Sequence, residues 1–109
     1  MATEFSLTDN CDYRAYEKLT VANASKALTA TSYAPVSGTL KGRHAKSALI
    51  NVETAPLRFR LDGTAPTTTE GTLMDIGDTI LVRGEFNITN FHAIRTTGTS
   101  AVITVQYGF

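Results

Sequence analysis

Cysteine and histidine are the first candidates for metal ligands or nucleophiles, and the chain has one cysteine, Cys11, and two histidines, His44 and His92. One thiol cannot form a disulfide within the chain or supply a cysteine-based zinc site. His44 follows a turn and is expected on a surface loop. His92 lies in a predicted strand and is expected to be partly buried and neutral. We therefore predict no metal site, and we expect Cys11 to be an ordinary thiol near the N-terminus.

Acidic side chains at predicted turns are the next candidates, because a glycosidase needs two carboxylates facing each other across a cleft. Asp62 precedes Gly63 and Asp78 follows Gly77, positions where a side-chain oxygen accepts hydrogen bonds from turn N–H groups. Turn formation explains these residues better than catalysis. A calcium site among the loop carboxylates stays open as an alternative, although their spacing fits no EF-hand loop. The carboxylates at turns are Asp62, Glu70, Asp75, Asp78 and Glu85.

Other catalytic and cofactor patterns do not occur in the sequence. It contains no Gly-x-Ser-x-Gly nucleophile elbow, no Gly-x-Gly-x-x-Gly loop and no Walker pattern. We therefore predict a protein that is not an enzyme and binds no cofactor.

The charge balance argues against nucleic acid as a partner. Ten basic and ten acidic residues cancel, and nucleic-acid binders need a basic face to neutralise phosphates. Weak self-repulsion at zero net charge favours association between copies. The first residues lack the basic start and apolar run of a secretory signal, and no run approaches the ~18 apolar residues of a membrane span. We expect synthesis in a cytoplasm and no membrane partner.

The pattern of apolar residues predicts the fold. Leu57, Phe59 and Leu61 alternate with Arg58 and Arg60, which is the period of two that a half-buried strand shows. Frequent turn residues and abundant threonine indicate many short strands. We predict an all-β protein, a single antiparallel β-sandwich, jelly-roll-like, with seven to nine short strands. The predicted strands lie near 13–22, 25–33, 45–53, 56–62, 71–75, 78–83, 85–89, 91–97 and 100–108.

Two domain-level expectations accompany this fold. Residues 1–12 are predicted to be an N-terminal arm that is flexible or ordered by assembly, and residues 13–109 the sandwich. Residues 13–19 also suit one or two helical turns. We assign Phe59, Phe86 and Tyr107 to the core, because their positions suit burial better than a stacking platform.

Two strands carry a candidate interface. Arg58 and Arg60 project from the face opposite the core, where they are either solvated or paired with carboxylates of another protein. Glu53 is an alternative partner within the chain. The run from Ile80 to Val82 is apolar on both sides, so that its strand is expected to be covered by the core and by a partner. The candidate interface residues are Arg58, Arg60, Ile80 and Val82.

The order of several short segments resembles that of small β-sandwich virion proteins of tailed phages. The segments are Ala48-Leu49-Ile50-Asn51-Val52-Glu53, the arginine strand from Leu57 to Leu61 with the Asp62-Gly63-Thr64-Ala65-Pro66-Thr67 turn, the stretch from Gly71 to Gly77-Asp78, Phe91-His92-Ala93-Ile94-Arg95 and Ile103-Thr104-Val105-Gln106-Tyr107. The resemblance covers about residues 20–109. It implies a capsid decoration (cement) protein or a minor head or tail component. The implied partners are further copies, as a homotrimer, and the major capsid protein or another virion protein, with the virion as its location.

Two other functions stay open. A tail or fibre module could recognise host glycans through the loops Pro35–Gly42 and Asp62–Gly71. A cupin-like enzyme is the second alternative, although cupins hold their metal with a His-x-His pair that this chain lacks.

Overall fold

Strands form where apolar and polar side chains alternate along the chain. In the computed structural model, which describes residues 10–109, they form two antiparallel four-stranded sheets packed face to face, confirming the predicted all-β sandwich. The elements are β1 (Tyr13–Val21), β2 (Lys26–Ala27), α1 (Ala30–Tyr33), β3 (Ser47–Glu53), β4 (Leu57–Arg60), β5 (Thr72–Met74), β6 (Thr79–Arg83), α2 (Glu85–Thr89), β7 (His92–Arg95) and β8 (Ala101–Gly108).

The first sheet has the strand order β1-β8-β3-β6 and the second has the order β2-β7-β4-β5. Residues 13–19, which also suited helical turns, belong entirely to strand β1, and β1 pairs with β8. The edge strands are therefore β1 and β6 in the first sheet, and β2 and β5 in the second.

The core lies between the two inner faces. Ile50 is opposite both Val105 and Ile80 in the ladder, and Leu57 is opposite Met74 in the other sheet. Phe59 of β4 stacks on Phe91, which directly precedes the neighbouring strand β7, with ring centroids 5.5 Å apart. Alternate residues are buried along β4 and along β3 from Ala48 onwards, as the period of two requires.

The segment 85–89, predicted as a strand, is the short helix α2 instead. Gly84 has a φ of +97°, which turns the chain out of β6. The side chain of Asn87 donates a hydrogen bond to the backbone carbonyl of Arg83 (2.8 Å). Because such bonds offer the backbone an alternative to a sheet ladder, they favour a helical turn at this point.

The helix changes which of its side chains reach the core. Phe86 and Ile88 would share one face of a strand, but they point in different directions on a helix. Ile88 is fully buried, whereas Phe86 is 67% exposed. The core assignment is therefore wrong for Phe86 and confirmed for Phe59 and Tyr107.

The predicted strand at 25–33 is reduced to the two residues of β2, followed by α1. The carboxylate of Glu17 accepts hydrogen bonds from the backbone N–H (3.2 Å) and the hydroxyl (2.6 Å) of Thr29. A tertiary contact thus holds Thr29 at the start of α1 and ends the strand.

The structure describes the last three residues, 10–12, of the predicted arm 1–12. Residues 1–9 lie outside the described chain. Asp12 and Phe109 exchange two backbone hydrogen bonds, of 3.3 and 3.0 Å. Cys11 is half-buried and lies so close to Gly108 that a Cβ at Gly108 would be 2.7 Å from that of Cys11. The chain is therefore part of the sandwich from Cys11 onwards. For residues 1–9 the arm remains a prediction.

Candidate functional site

Arg58 lies on the outer face of β4, as predicted, but its guanidinium is used within the chain. It donates from Nε to the carbonyl of Thr68 (3.1 Å) and from Nη1 to the carbonyl of Gly71 (2.9 Å). Both acceptors belong to the loop between β4 and β5. Arg58 therefore holds this loop against the sheet, and Glu53 is not the acceptor of these bonds.

Arg60 forms a forked ion pair with Asp62. Its Nε and Nη2 atoms donate to the two carboxylate oxygens, at 3.1 and 2.5 Å. Asp62 also accepts a bond from the backbone N–H of Thr64 (3.2 Å), across a turn in which Gly63 has a φ of +85°. The prediction that Asp62 forms a turn is thus confirmed.

The pair shifts the titration of both partners. Hydrogen bonds, first from Arg60 and then from the Thr64 backbone, lower the pKa of Asp62. The hydrogen bond to Asp62 raises the pKa of Arg60, and the nearby charge of Glu70 raises it further. Both ions are partly exposed, at 35% for Arg60 and 55% for Asp62, so water screens their attraction.

The two apolar candidates on β6 face inward. Val82 is opposite Ala48 in the ladder and is only 4% exposed, while Ile80 is half-buried and packs against the core. Leu81 lies between them and so faces outward, opposite Leu49. The interface at this strand stays a prediction, but the side chain that β6 offers on its outer face is Leu81.

We use the name open side for β5, the turn 75–78 and β6. Four residues join these two edge strands, so both edges lie on the same side of the sandwich. Leu73 on the outer face of β5 is 48% exposed, and Ile76 in the turn is 60% exposed. The side chain of Asp78 accepts a bond from the backbone N–H of Asp75 (2.9 Å), which confirms its predicted role in the turn.

The closed side consists of β1 and β2 with the start of α1. Here the buried hydroxyl of Tyr107 donates a hydrogen bond to Glu17, the same carboxylate that holds Thr29. Burial raises the pKa of Tyr107, and the bond to Glu17 raises it further. This polar network joins β1, β8 and α1. No local sequence pattern signals it, because its members are far apart in the chain.

A groove of about 610 Å³ lies beside α2 and opens to solvent. Asp62, Glu70 and Gly71 contribute from one of the two loops that the glycan-binding alternative would use, whereas the other loop, Pro35–Gly42, does not line the groove. The exposed ring of Phe86 stands at this groove. The lining residues are Phe59, Arg60, Leu61, Asp62, Glu70, Gly71, Thr72, Phe86 and Asn87.

The two histidines have separate surroundings. His44 is half-buried, not on the surface as predicted: its Nδ1 donates to the carbonyl of Ala45 (2.7 Å), and its Nε2 accepts from the hydroxyl of Thr89 (3.2 Å). This tautomer is assigned from the bonding pattern. The imidazole therefore joins the loop before β3 to α2. His92 is half-buried on β7, and its Nδ1 bonds the carbonyl of Asn90 (3.0 Å).

Within residues 10–109, no three side chains of His, Cys, Asp and Glu come together as a metal site would require. Neither helix of the described chain has the length and apolar character to cross a membrane. Comparisons of the chain with protein-family models, with curated proteins and with solved structures found no match.

Proposed function

We propose that this protein is a structural component of a tailed-phage particle, of the capsid decoration (cement) kind. In this proposal it is located in the virion. It associates with further copies of itself, as a homotrimer, and docks on the major capsid protein or another virion protein. The assignment to a tailed-phage particle is suggested by the resemblance in the order of segments along the sequence.

The open side is the observation that carries the proposal. Edge strands present unpaired backbone groups, and monomeric proteins usually protect them with charges or cover them. The open side has two edges together, and the side chains beside them include the exposed Leu73 and Ile76. An apolar surface next to open edges is typical of a site that another protein covers. A closed symmetric ring would cover it in every copy.

The connections support the finer assignment of the fold. The chain crosses from one sheet to the other at every connection except that between β4 and β5. Eight strands in two four-stranded sheets connected in this way fit a jelly roll, an architecture found in capsid proteins. Jelly-roll connectivity is part of the proposal.

Light scattering after size-exclusion chromatography tests self-association. We expect the unmodified chain to have the mass of a trimer, and Ile76→Lys to shift it towards the monomer, because a buried lysine charge opposes association. Tyr16→Lys is the matched control, since Tyr16 is also 60% exposed but lies on β1. It should keep the trimer mass.

A monomer mass for the unmodified chain at every concentration would count against self-association in solution. Equal dissociation by both substitutions would remove the open side from the interface. Cryo-electron microscopy of particles from the source phage tests the location: density for this sandwich on the capsid supports the proposal, and a particle lacking the protein contradicts it.

A further inference from the structure

We propose that the groove beside α2 binds an uncharged carbohydrate, with one face of a sugar ring packed on Phe86. This site goes beyond the assembly role. It uses neither Leu73 nor Ile76, so that binding and association can be tested separately.

The dimensions of the groove suit a small ligand. Its volume of about 610 Å³ falls within the range of roughly 300–1,000 Å³ typical of small-molecule sites. Its lining combines apolar side chains with a few polar ones, among them the Arg60–Asp62 pair. An apolar concave surface with a few fixed polar groups is the usual composition of such sites.

Phe86 is the apolar part of the proposed site. Its ring is 67% exposed, although Ile88 of the same short helix is fully buried and anchors α2. The face of an aromatic ring carries partial negative charge, and it attracts the weakly positive C–H groups of a sugar face. The buried anchor fixes the helix, so a ligand would order little of the protein when it binds.

The Arg60–Asp62 pair is the polar part. Thr64 and the turn at Gly63 hold Asp62 in place, and the forked contact holds Arg60, so the two groups are prearranged. Both remain partly exposed and keep unused donors and acceptors. A hydroxyl group both donates and accepts hydrogen bonds, so neighbouring hydroxyls on a sugar match a donor beside an acceptor.

The charge of the groove decides which carbohydrates fit. Arg60 contributes one positive charge, while Asp62 and Glu70 contribute two negative charges. Glu70 is close enough to affect the pKa of Arg60. The remaining single negative charge repels sialylated and uronic-acid glycans, which favours neutral sugars.

A glycan array tests the proposal with the fluorescently labelled full chain. The array presents neutral glucose-, galactose- and mannose-containing oligosaccharides beside sialylated and uronic-acid glycans. We expect saturable binding to at least one neutral glycan and no preference for acidic ones. Calorimetric titration with that oligosaccharide, free in solution, then measures the affinity of a single site without avidity from an oligomer.

Phe86→Ala should weaken the affinity by about tenfold or more, a loss of about 1.4 kcal/mol. Tyr16→Ala removes another exposed aromatic residue, far from the groove on β1, and should leave the affinity unchanged. Circular dichroism confirms that both variants fold. Three outcomes overturn the proposal: no binding to any neutral glycan, equal loss of affinity in both variants, or a preference for acidic glycans. None of these outcomes depends on the molar mass from light scattering, which tests self-association separately.

Discussion

The closed side and the open side of this sandwich end their sheets in different ways. On the closed side, Glu17 of β1 accepts hydrogen bonds from Thr29 and from the buried Tyr107. On the open side, β5 and β6 end the sheets with apolar side chains exposed beside them. On one side a polar network links the edge strand β1 to β8 and to the start of α1, whereas the other side exposes the apolar surface that we propose a second molecule covers. Three substitutions, taken in order of decreasing expected effect, test the buried anchor of α2, the closed side and the ion pair at the groove, each against a control variant.

The largest effect is expected at Ile88, which is fully buried on α2, the helix that follows β6 of the open side. Ile88→Ala should lower the free energy of unfolding by about 2–5 kcal/mol, because it leaves a cavity under α2. Phe86→Ala on the same helix should change it by less than about 0.5 kcal/mol, because its side chain is exposed. Urea unfolding measures both values. Similar values for the two variants would mean that α2 is not anchored through Ile88.

The second test concerns the closed side. Glu17→Ala should cost about 2 kcal/mol, because the donors of Thr29 and Tyr107 lose a shared charged acceptor. Glu53→Ala, on the outer face of β3, is the control and should cost less than about 0.5 kcal/mol. Urea unfolding again gives the values, and amide exchange at Thr29 should become faster in Glu17→Ala. An unchanged exchange rate at Thr29 would contradict the proposed role of the network.

The smallest effect is expected in the exposed ion pair near the groove. The pKa of Asp62 is lowered in the folded protein, so the pair stabilises the loop above the ordinary carboxyl value of 3.8. This stabilisation is lost as the pH falls through the lower, folded value. Arg60→Gln should raise the pKa of Asp62 towards 3.8, as measured by NMR titration of its carboxyl carbon.

Arg58→Gln is the control for this titration, because Arg58 bonds the loop carbonyls and not Asp62. It should leave the pKa of Asp62 unchanged. If Arg58→Gln raises that pKa as much as Arg60→Gln does, a general change in the loop explains the shift, and the forked pair does not.

Period-two alternation predicted most strands, because burying one face of a sheet is a local property of the sequence. β3, β4 and β8 lie within their predicted ranges, and Arg58 and Arg60 are on the outer face. The alternation failed at 85–89, where Phe86 and Ile88 also have a spacing of two. There, the turn at Gly84 and the hydrogen bond of Asn87 outweighed the pattern.

The candidate site was less predictable than the fold. The glycan-binding alternative placed its site between the loops 62–71 and 35–42. The loop 62–71 lines the groove, but its neighbour there is α2 and not the loop 35–42. The partners of the arginines could not be predicted either, because they are backbone carbonyls for Arg58 and the carboxylate two residues later for Arg60. Only the path of the loop decides which acceptors are within reach.

The sequence by itself determined the class of fold, the inner and outer faces of most strands, and the turns at Asp62 and Asp78. Each of these depends on neighbours within a few positions along the chain. The tertiary structure alone decided that Glu17 contacts both Thr29 and Tyr107 and that both strands of the open side end their sheets together. These features depend on contacts between residues far apart in the chain, and no local pattern carries that information.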